Sequence, residues 1–505
     1  MTNILYGLRR GLLILLVLVA SLVCSGTRED RIAEDDNPPI VIGQGFDDWA
    51  TYSPVATDPI GDGTSDGIDF DTLWASSQNG WLMLRFGVGH EIVLQRGNRL
   101  TLLIDGDNDS ATGWQTGDIG AEFQWIFGER RGYFYEPSGN PIPITPADVA
   151  IRAAPTFSGN EYEVAIGLEA VPGAPVAVFT GAQARVVLLD DIPGGDRLPD
   201  TQVVTLRVRP PLEVPLPILS VARKDPSHLR ILQHNVLEDG IIKRPEFFRR
   251  IYRAADPDLL LLGEVYTSNA EEVQQLLQEW LPGQKDDRPW IVIRHQDGSM
   301  VASRYPIRQV EGGEDKTGDG FLVQLAEPWD REIFVIHAYA ACCDEDSIRQ
   351  RHCDRIMAFY RDAIQSSLIE PGTPVILAGD FNLVTWRRHY ETLRDGAIAD
   401  TASFGRPFAP DWDGSSFADL NPRLLALPME YTWRNAEHGF SPGRLDFMLY
   451  TDSNLEVGNS FVLDDDGLSD SVRSALGIEP GDCARAADHR PLVGDFFPKP
   501  MRMEK

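Results

Sequence analysis

Cysteine is scarce in this chain of 505 residues, with five in all, and none stands in the paired C-x-x-C spacing that holds structural zinc. Cations are scarce too. Lys and Arg number 46 against 76 Asp and Glu, for a net charge of −30 spread over both halves of the chain. Such a field repels polyanions and argues against a strong non-specific grip on nucleic acid, although a local basic groove or a metal-bridged phosphate contact stays open. Internal repeats and basic or aromatic tracts are absent as well.

Long apolar runs are missing apart from Leu12 to Val23. That run is short for a full membrane span. Arg9 and Arg10 precede it, and Ser25 and Gly26 follow it, which is the pattern of an export signal over residues 1–25. Export predicts a secreted, periplasmic or cell-surface protein. Cys24 stands where a bacterial lipoprotein is acylated, although Val23 is bulkier than the small residue usual before such a Cys. The remaining cysteines are Cys342, Cys343, Cys353 and Cys483. In an oxidising compartment an even count favours disulfides, with three pairings open.

The chain is too long for one core, so at least two domains are expected. Residues 26–39 are polar and read as a stalk. From 40 to 209 short strands alternate with Gly- and Asp-rich turns, as in Gly80 to Phe86, Arg99 to Ile104 and Tyr162 to Ile166, and no long helical period appears. That pattern predicts an all-β sandwich. Prolines 210, 211, 215 and 217 mark residues 210–227 as a stiff linker. Beyond it, residues 228–498 mix buried strands with amphipathic helices predicted at Pro245 to Ala255, Ala270 to Trp280 and Ser347 to Ser366. This is a layered α/β domain. On the last helix Ile348, Ile356, Phe359, Tyr360 and Ile364 form the apolar stripe, and Arg349, Arg351 and Arg355 read as a solvated face.

Chemistry collects where strands end in polar residues. Asn235 follows Arg230-Ile231-Leu232, and Glu264 follows four leucines. Asp380 and Asn382 flank Phe381 in Gly-Asp-Phe-Asn, so both carry their side chains to one side. Asp446 enters an apolar run, where an unpaired charge is costly. Asp488-His489 precedes another strand, and a His beside an Asp among strand-end acids suits a general base. Carboxylates, an amide and a His are what a divalent cation and an attacking water require around a phosphate ester.

These segments, taken in order, make residues 228–498 resemble the endonuclease/exonuclease/phosphatase superfamily, which has the four-layer α/β sandwich of deoxyribonuclease I. The matching residues are Asn235 in HNV, Glu264 in LLLLGEV, SRYPI at 303–307, His337 in FVIHAY, GDFN at 379–382, RLDFMLY at 444–450 and ADHRPLV at 487–493. The resemblance implies Mg²⁺ (or Mn²⁺) held mainly by Glu264 with Asn235 and Asp488. It implies that His489, oriented by Asp446, works on the water, that Asp380 and Asn382 position nucleophile and phosphate, and that His337 acts on the phosphate or leaving group. The expected substrate is a phosphodiester in nucleic acid, a lipid or a small molecule, with nuclease slightly favoured. A surface-binding protein with an inactive hydrolase-like domain is the reading from another class. Leu237 departs from the AP endonucleases, which carry an acidic residue there, and Ala338 to Cys343 departs from the usual loop. The long loop from Arg387 to Met429, with Trp412 at its centre, is a candidate for substrate selection.

The front domain is similar to family-nine carbohydrate-binding modules, on Gly45 to Trp49, the Asp58-Asp62-Asp69 stretch and Leu103 to Gly113. A carbohydrate or cell-surface ligand is the implied partner, with Trp49, Trp81 and Trp114 as stacking candidates. Alternating Asp105, Asp107 and Asp109 offer oxygen ligands to Ca²⁺, although Thr116 rules out an EF-hand.

Overall fold

The computed structural model describes residues 37–63, 67–171, 176–283, 289–295, 298–310 and 318–499. The predicted export signal, Cys24 and the stalk up to residue 36 lie outside them.

Two six-stranded sheets form the C-terminal half. One runs in the order Ile291–His295, Ser299–Ser303, Leu259–Gly263, Leu229–Asn235, Leu492–Pro498, Leu455–Val462; the other runs Ile307–Val310, Gly318–Leu325, Arg331–Tyr339, Val375–Asp380, Asp446–Tyr450, Ala418–Asp419. Alternation along the strands dictates the layering. Leu259 and Leu261 face the core between the sheets, while Leu260 and Leu262 face the outer core under helices Pro245–Ala255 and Ala270–Trp280. In the second sheet Ile376 and Ala378 point inward, and Val375 and Leu377 point to the outer core with helix Asp346–Gln365. A strand buried on both faces must be apolar at every position, which is why four leucines run together. The result is an α/β/β/α stack, the four-layer sandwich the resemblance implied.

The front half is a β-sandwich of a five-stranded and a seven-stranded sheet, packed over Leu84, Phe86, Leu102 and Tyr162. It does not hang from a free linker. Leu212 N donates to Ser77 O at 2.9 Å, Val214 N to Asn79 Oδ1 at 3.1 Å, and Leu219 N to Leu425 O at 2.9 Å, so the proline-rich segment is strapped to both halves. Residues of the sandwich half, among them Ile42, Trp49 and Met83, share one apolar cluster with Leu229, Leu259 and Met429 of the α/β half.

Four expectations are corrected. Cys342, Cys343, Cys353 and Cys483 are all free thiols; Cys353 and Cys483 are buried in different outer cores, on opposite faces of the stack, so the two cannot meet. Arg349 is buried rather than solvated: its guanidinium donates to Ala341 O at 2.7 Å and Cys343 O at 2.8 Å, and so anchors the loop before its own helix. Ile348 is exposed and leaves the apolar stripe to Ile356, Phe359, Tyr360 and Ile364. Trp412 does not line the cleft described below. Its indole donates to Thr373 O at 2.7 Å against the outer core.

Candidate active site

The strand register delivers the site. Asn235 pairs with Gly263 in the parallel pair at the centre of the first sheet, so Glu264 emerges one residue beyond, beside Asn235. In the second sheet Asp380 lies opposite Asp446 on one neighbour and level with Tyr339 on the other. Asp488 and His489 sit in the turn before strand Leu492–Pro498, where His489 bridges to Trp433. All these ends open on the same side of the stack.

Hydrogen bonds then fix the side chains. His489 Nδ1 is 2.7 Å from Asp446 Oδ2, and His489 Nε2 is 3.7 Å from Asp380 Oδ2. Asn235 Nδ2 donates to Glu264 Oε1 at 2.9 Å and to Asp380 Oδ2 at 3.1 Å, while its amide oxygen accepts from Leu237 N at 3.0 Å. Asn235 thus orders two carboxylates at once. Asn382 donates its backbone N to Asp380 Oδ1 and its side-chain amide to Ala340 O, each at 3.1 Å. Trp433 Nε1 donates to Asp488 Oδ2 at 3.1 Å.

Backbone strain accompanies this geometry. Glu264 has φ +59° and Asn382 +49°, and Leu237, Glu238 and Asp239 form a run of three positive φ values. Each costs on the order of 1–3 kcal/mol and survives only where the surroundings impose it. Here they do. Asp239 accepts hydrogen bonds from the backbone of Thr267 and Ser268, and Glu238 N donates to Glu264 Oε2 at 3.2 Å.

Electrostatics follow from crowding buried carboxylates about one imidazole. Burial, reinforced by Asp446 and opposed by His489, raises the carboxyl of Asp380 above its ordinary range. Burial alone lowers an imidazole, but Asp446, Asp380 and Asp488 outweigh it and push His489 upward. Behind the site, burial depresses His234 to about 3; its Nε2 lies 3.3 Å from the carbonyl oxygen of His489, and its Nδ1 lies 3.1 Å from the Tyr252 hydroxyl. A neutral ring donating through Nε2 and accepting at Nδ1 fits both contacts.

The donor set suits a divalent cation. Glu264, Asp380, Asp446 and Asp488 supply four carboxylates in negative excess, and Asp488 Oδ1 is buried without a hydrogen-bond partner. Asp380, Asp446 and His489 also bring one ligand atom each within 4.8 Å of one another. Glu264 and Asp488 both line the cleft and are the residues that would hold the ion, with Asn235 holding Glu264 in place.

His337 stays out of this cleft. It is 1% exposed, and its Nδ1 lies 3.0 Å from His295 Nε2, whose ring in turn faces Asp319 at 3.2 Å. Its register partner is Ala378, two residues short of Asp380, so it is recessed about 7 Å along the strand from the strand end. Tyr339 stands at the level of Asp380 and lines the cleft instead. The motif FVIHAY marks its His, whereas the Tyr two residues on, on the same face, is the one that reaches the cleft. No local pattern in the sequence marks Trp433.

In the sandwich, Asp105 and Asp107 come together with Glu122, not with Asp109, whose carboxylate accepts from Ala111 N at 3.0 Å. Arg185 lies 3.4 Å from Asp105. Trp49 is buried, and its indole donates to Glu163 Oε1 at 2.6 Å, so it presents no face to a sugar.

The four-layer α/β stack thus gathers carboxylates, an amide and an Asp-held imidazole at its paired strand ends. Residues 232–471, within the α/β half, match the model of the Endonuclease/Exonuclease/phosphatase family. Asp488 and His489 fall beyond the matched span. No curated protein matches the chain. Among solved structures, the catalytic domain of human Nocturnin is 16% identical, covering 54% of this chain and 95% of its own, with TM-score 0.35. A mannosyl-6-phosphatase of Bacteroides thetaiotaomicron is 15% identical (53% and 99%, TM-score 0.35). Sphingomyelinase C from Streptomyces griseocarneus is also 15% identical (53% and 99%, TM-score 0.29).

Proposed function

We propose that this chain hydrolyses phosphoesters by water attack assisted by Mg²⁺ or Mn²⁺. The observation that carries this reading is His489, held at 2.7 Å by Asp446 and 3.7 Å from Asp380, in a cleft that also presents Glu264 and Asp488. Glu264 and Asp488 would hold the cation, which would polarise a phosphoryl oxygen and offset the negative field that raises His489. Asp446 fixes the His489 tautomer through Nδ1, leaving Nε2 to orient a water and take its proton. Asp380 holds that water from the other side, and Asn382 positions the phosphate. Release of phosphate or p-nitrophenol from simple mono- and diesters, measured with and without EDTA, tests the reading. Chelator-sensitive turnover supports it, and none with any divalent ion rejects it.

Export by residues 1–25 is part of the proposal and rests on the Arg9-Arg10 and Leu12 to Val23 pattern. The N-terminal sequence of the protein recovered outside the cytoplasm checks it, with the uncleaved chain in the cytoplasm as the contrary result. For the Asp105, Asp107 and Glu122 cluster we propose Ca²⁺, on the grounds of three oxygen ligands and an Asp105 Oδ2 without a hydrogen bond. A Ca²⁺-dependent rise in thermal midpoint that is lost in Asp107→Asn checks that assignment.

A further inference from the structure

The sandwich forms one wall of the cleft. The loop after strand Trp81–Ile92 brings Val93, Gln95 and Arg96 to it, and the turn after Phe127–Glu129 brings Arg130. These are built contacts. Asn98 Nδ2 ties the loop by donating to Val93 O and Leu94 O at 2.8 Å each, and Leu94 is buried in the sandwich core. Gln95 Oε1 accepts from Ser441 N at 3.0 Å, and Arg96 lies 3.2 Å from Asp344. Thr156 Oγ1 donates to Leu383 O at 2.7 Å. The wall is therefore clamped to the α/β half at three places around the site, and the half-open cleft it lines has a volume of about 470 Å³.

Arg130 is the distinctive group in that wall. Its guanidinium lies 4.3 Å from the centroid of the Phe440 ring and donates to Gln95 O at 3.1 Å, and among the described residues it has no carboxylate partner. Arg96 differs, since Asp344 and Asp346 already neutralise it. A cation propped on an aromatic face beside a carboxylate-rich centre, in a chain of net charge −30, is a receptor for an anion. The walled space suits a ligand of small-molecule size. A duplex needs the reverse, an open groove with many phosphate-tracking cations.

We infer that Arg130 binds a second anionic group of a compact phosphoester, which makes the sandwich part of the substrate pocket and directs the enzyme to small charged organic phosphates and away from duplex nucleic acid. The inference rests on the phosphoesterase reading above. Its test compares 2-phosphoglycerate with glycerol 2-phosphate, a pair that differs in one carboxylate, beside duplex DNA, using the full chain with Mg²⁺. Arg130 has φ +53°, so Arg130→Asn is the variant that keeps the backbone unstrained, and Arg130→Lys keeps the charge without the planar fork. The wild type is expected to show the lower KM for 2-phosphoglycerate. Arg130→Asn raises that KM about 10- to 100-fold, the scale of one lost charge-assisted hydrogen bond, with kcat and the KM for glycerol 2-phosphate little changed. Arg130→Lys recovers part of the loss. Turnover that depends on Glu264 but shows no preference for the second charge, no response to Arg130→Asn, or faster cleavage of duplex DNA overturns this inference and leaves phosphoester hydrolysis standing. No Glu264-dependent turnover of any ester overturns both.

Discussion

His489 Nδ1 and Asp446 Oδ2 lie 2.7 Å apart, and this buried contact joins the two β-sheets at the open end of the stack. Asp446 begins a strand of one sheet, and His489 lies in the turn leading into a strand of the other. The geometry of the imidazole therefore depends on how the sheets pack, and an amide in place of the carboxylate favours the wrong tautomer.

Asp446→Asn is accordingly expected to lower kcat about 10²- to 10⁴-fold, the range for losing a positioned acid–base group, while the fold persists. Steady-state kinetics beside a thermal melt check this. A kcat within threefold of wild type means that His489 acts without Asp446.

His337 gives the contrasting case. Its ring is sealed between His295 and the strand of Asp380, so His337→Gln is expected to destabilise the protein by about 1–3 kcal/mol, the cost of disturbing a buried hydrogen bond. Activity of the protein that remains folded should stay within a few-fold. Denaturant titration and kinetics on the same preparation separate the two, and a large fall in kcat at unchanged stability would return His337 to the reaction.

Glu163 predicts a pH effect on stability. Burial in the sandwich raises its carboxyl to about 8, opposed by hydrogen bonds from Gly43 N and Trp49 Nε1, with Asp48 adding to the rise. Between the unfolded value near 4.5 and about 8 the native state binds the extra proton, so this group withdraws stability as pH rises through that window. The total is on the order of a few kcal/mol. Glu163→Gln should flatten the fall in thermal midpoint from pH 5 to 8 relative to wild type, and parallel curves for the two proteins would contradict it.

The thiols give a chemical map. Cys343 is exposed and Cys342 half-buried at the cleft, with burial and Cys343 together raising the Cys342 thiol to about 11, whereas Cys353 and Cys483 are buried. N-ethylmaleimide should label Cys343 first in the native protein and slow hydrolysis, with Cys353 and Cys483 labelled only after unfolding. Peptide mass mapping reads this out, and reductant-dependent labelling of the native chain would point to disulfides instead.

Much of the α/β half was legible because its signals are local. The LLLLGEV run reads as a strand buried on both faces, and the helices Pro245–Ala255 and Ala270–Trp280 begin at a proline and at an Asn269–Glu272 capping box. Strand-end acids were visible for the same reason. His337 was misplaced because one register step decides whether a side chain reaches the end of a strand, and that step is set by pairing with Val375–Asp380. Arg349 looked solvated because helical spacing does not reveal the loop carbonyls that accept from it. The role of the sandwich was hidden altogether: Arg130 and Gln95 meet residues 440 and 441 across more than 300 positions of sequence, and no motif records such a contact.

The central claim is a cation-assisted hydrolase centre at Glu264, Asp380, Asp488 and His489. Its most direct test is the rate of phosphoester hydrolysis by the full chain and by Glu264→Gln, each titrated with Mg²⁺ after EDTA treatment. The account predicts wild-type activity that vanishes with the chelator and returns with Mg²⁺, and a Glu264→Gln protein of near-normal thermal midpoint slower by about 10³-fold or more, the scale of losing a metal-held charge stabilisation of several kcal/mol. Glu264→Gln activity within tenfold of wild type, or hydrolysis indifferent to EDTA, would contradict it.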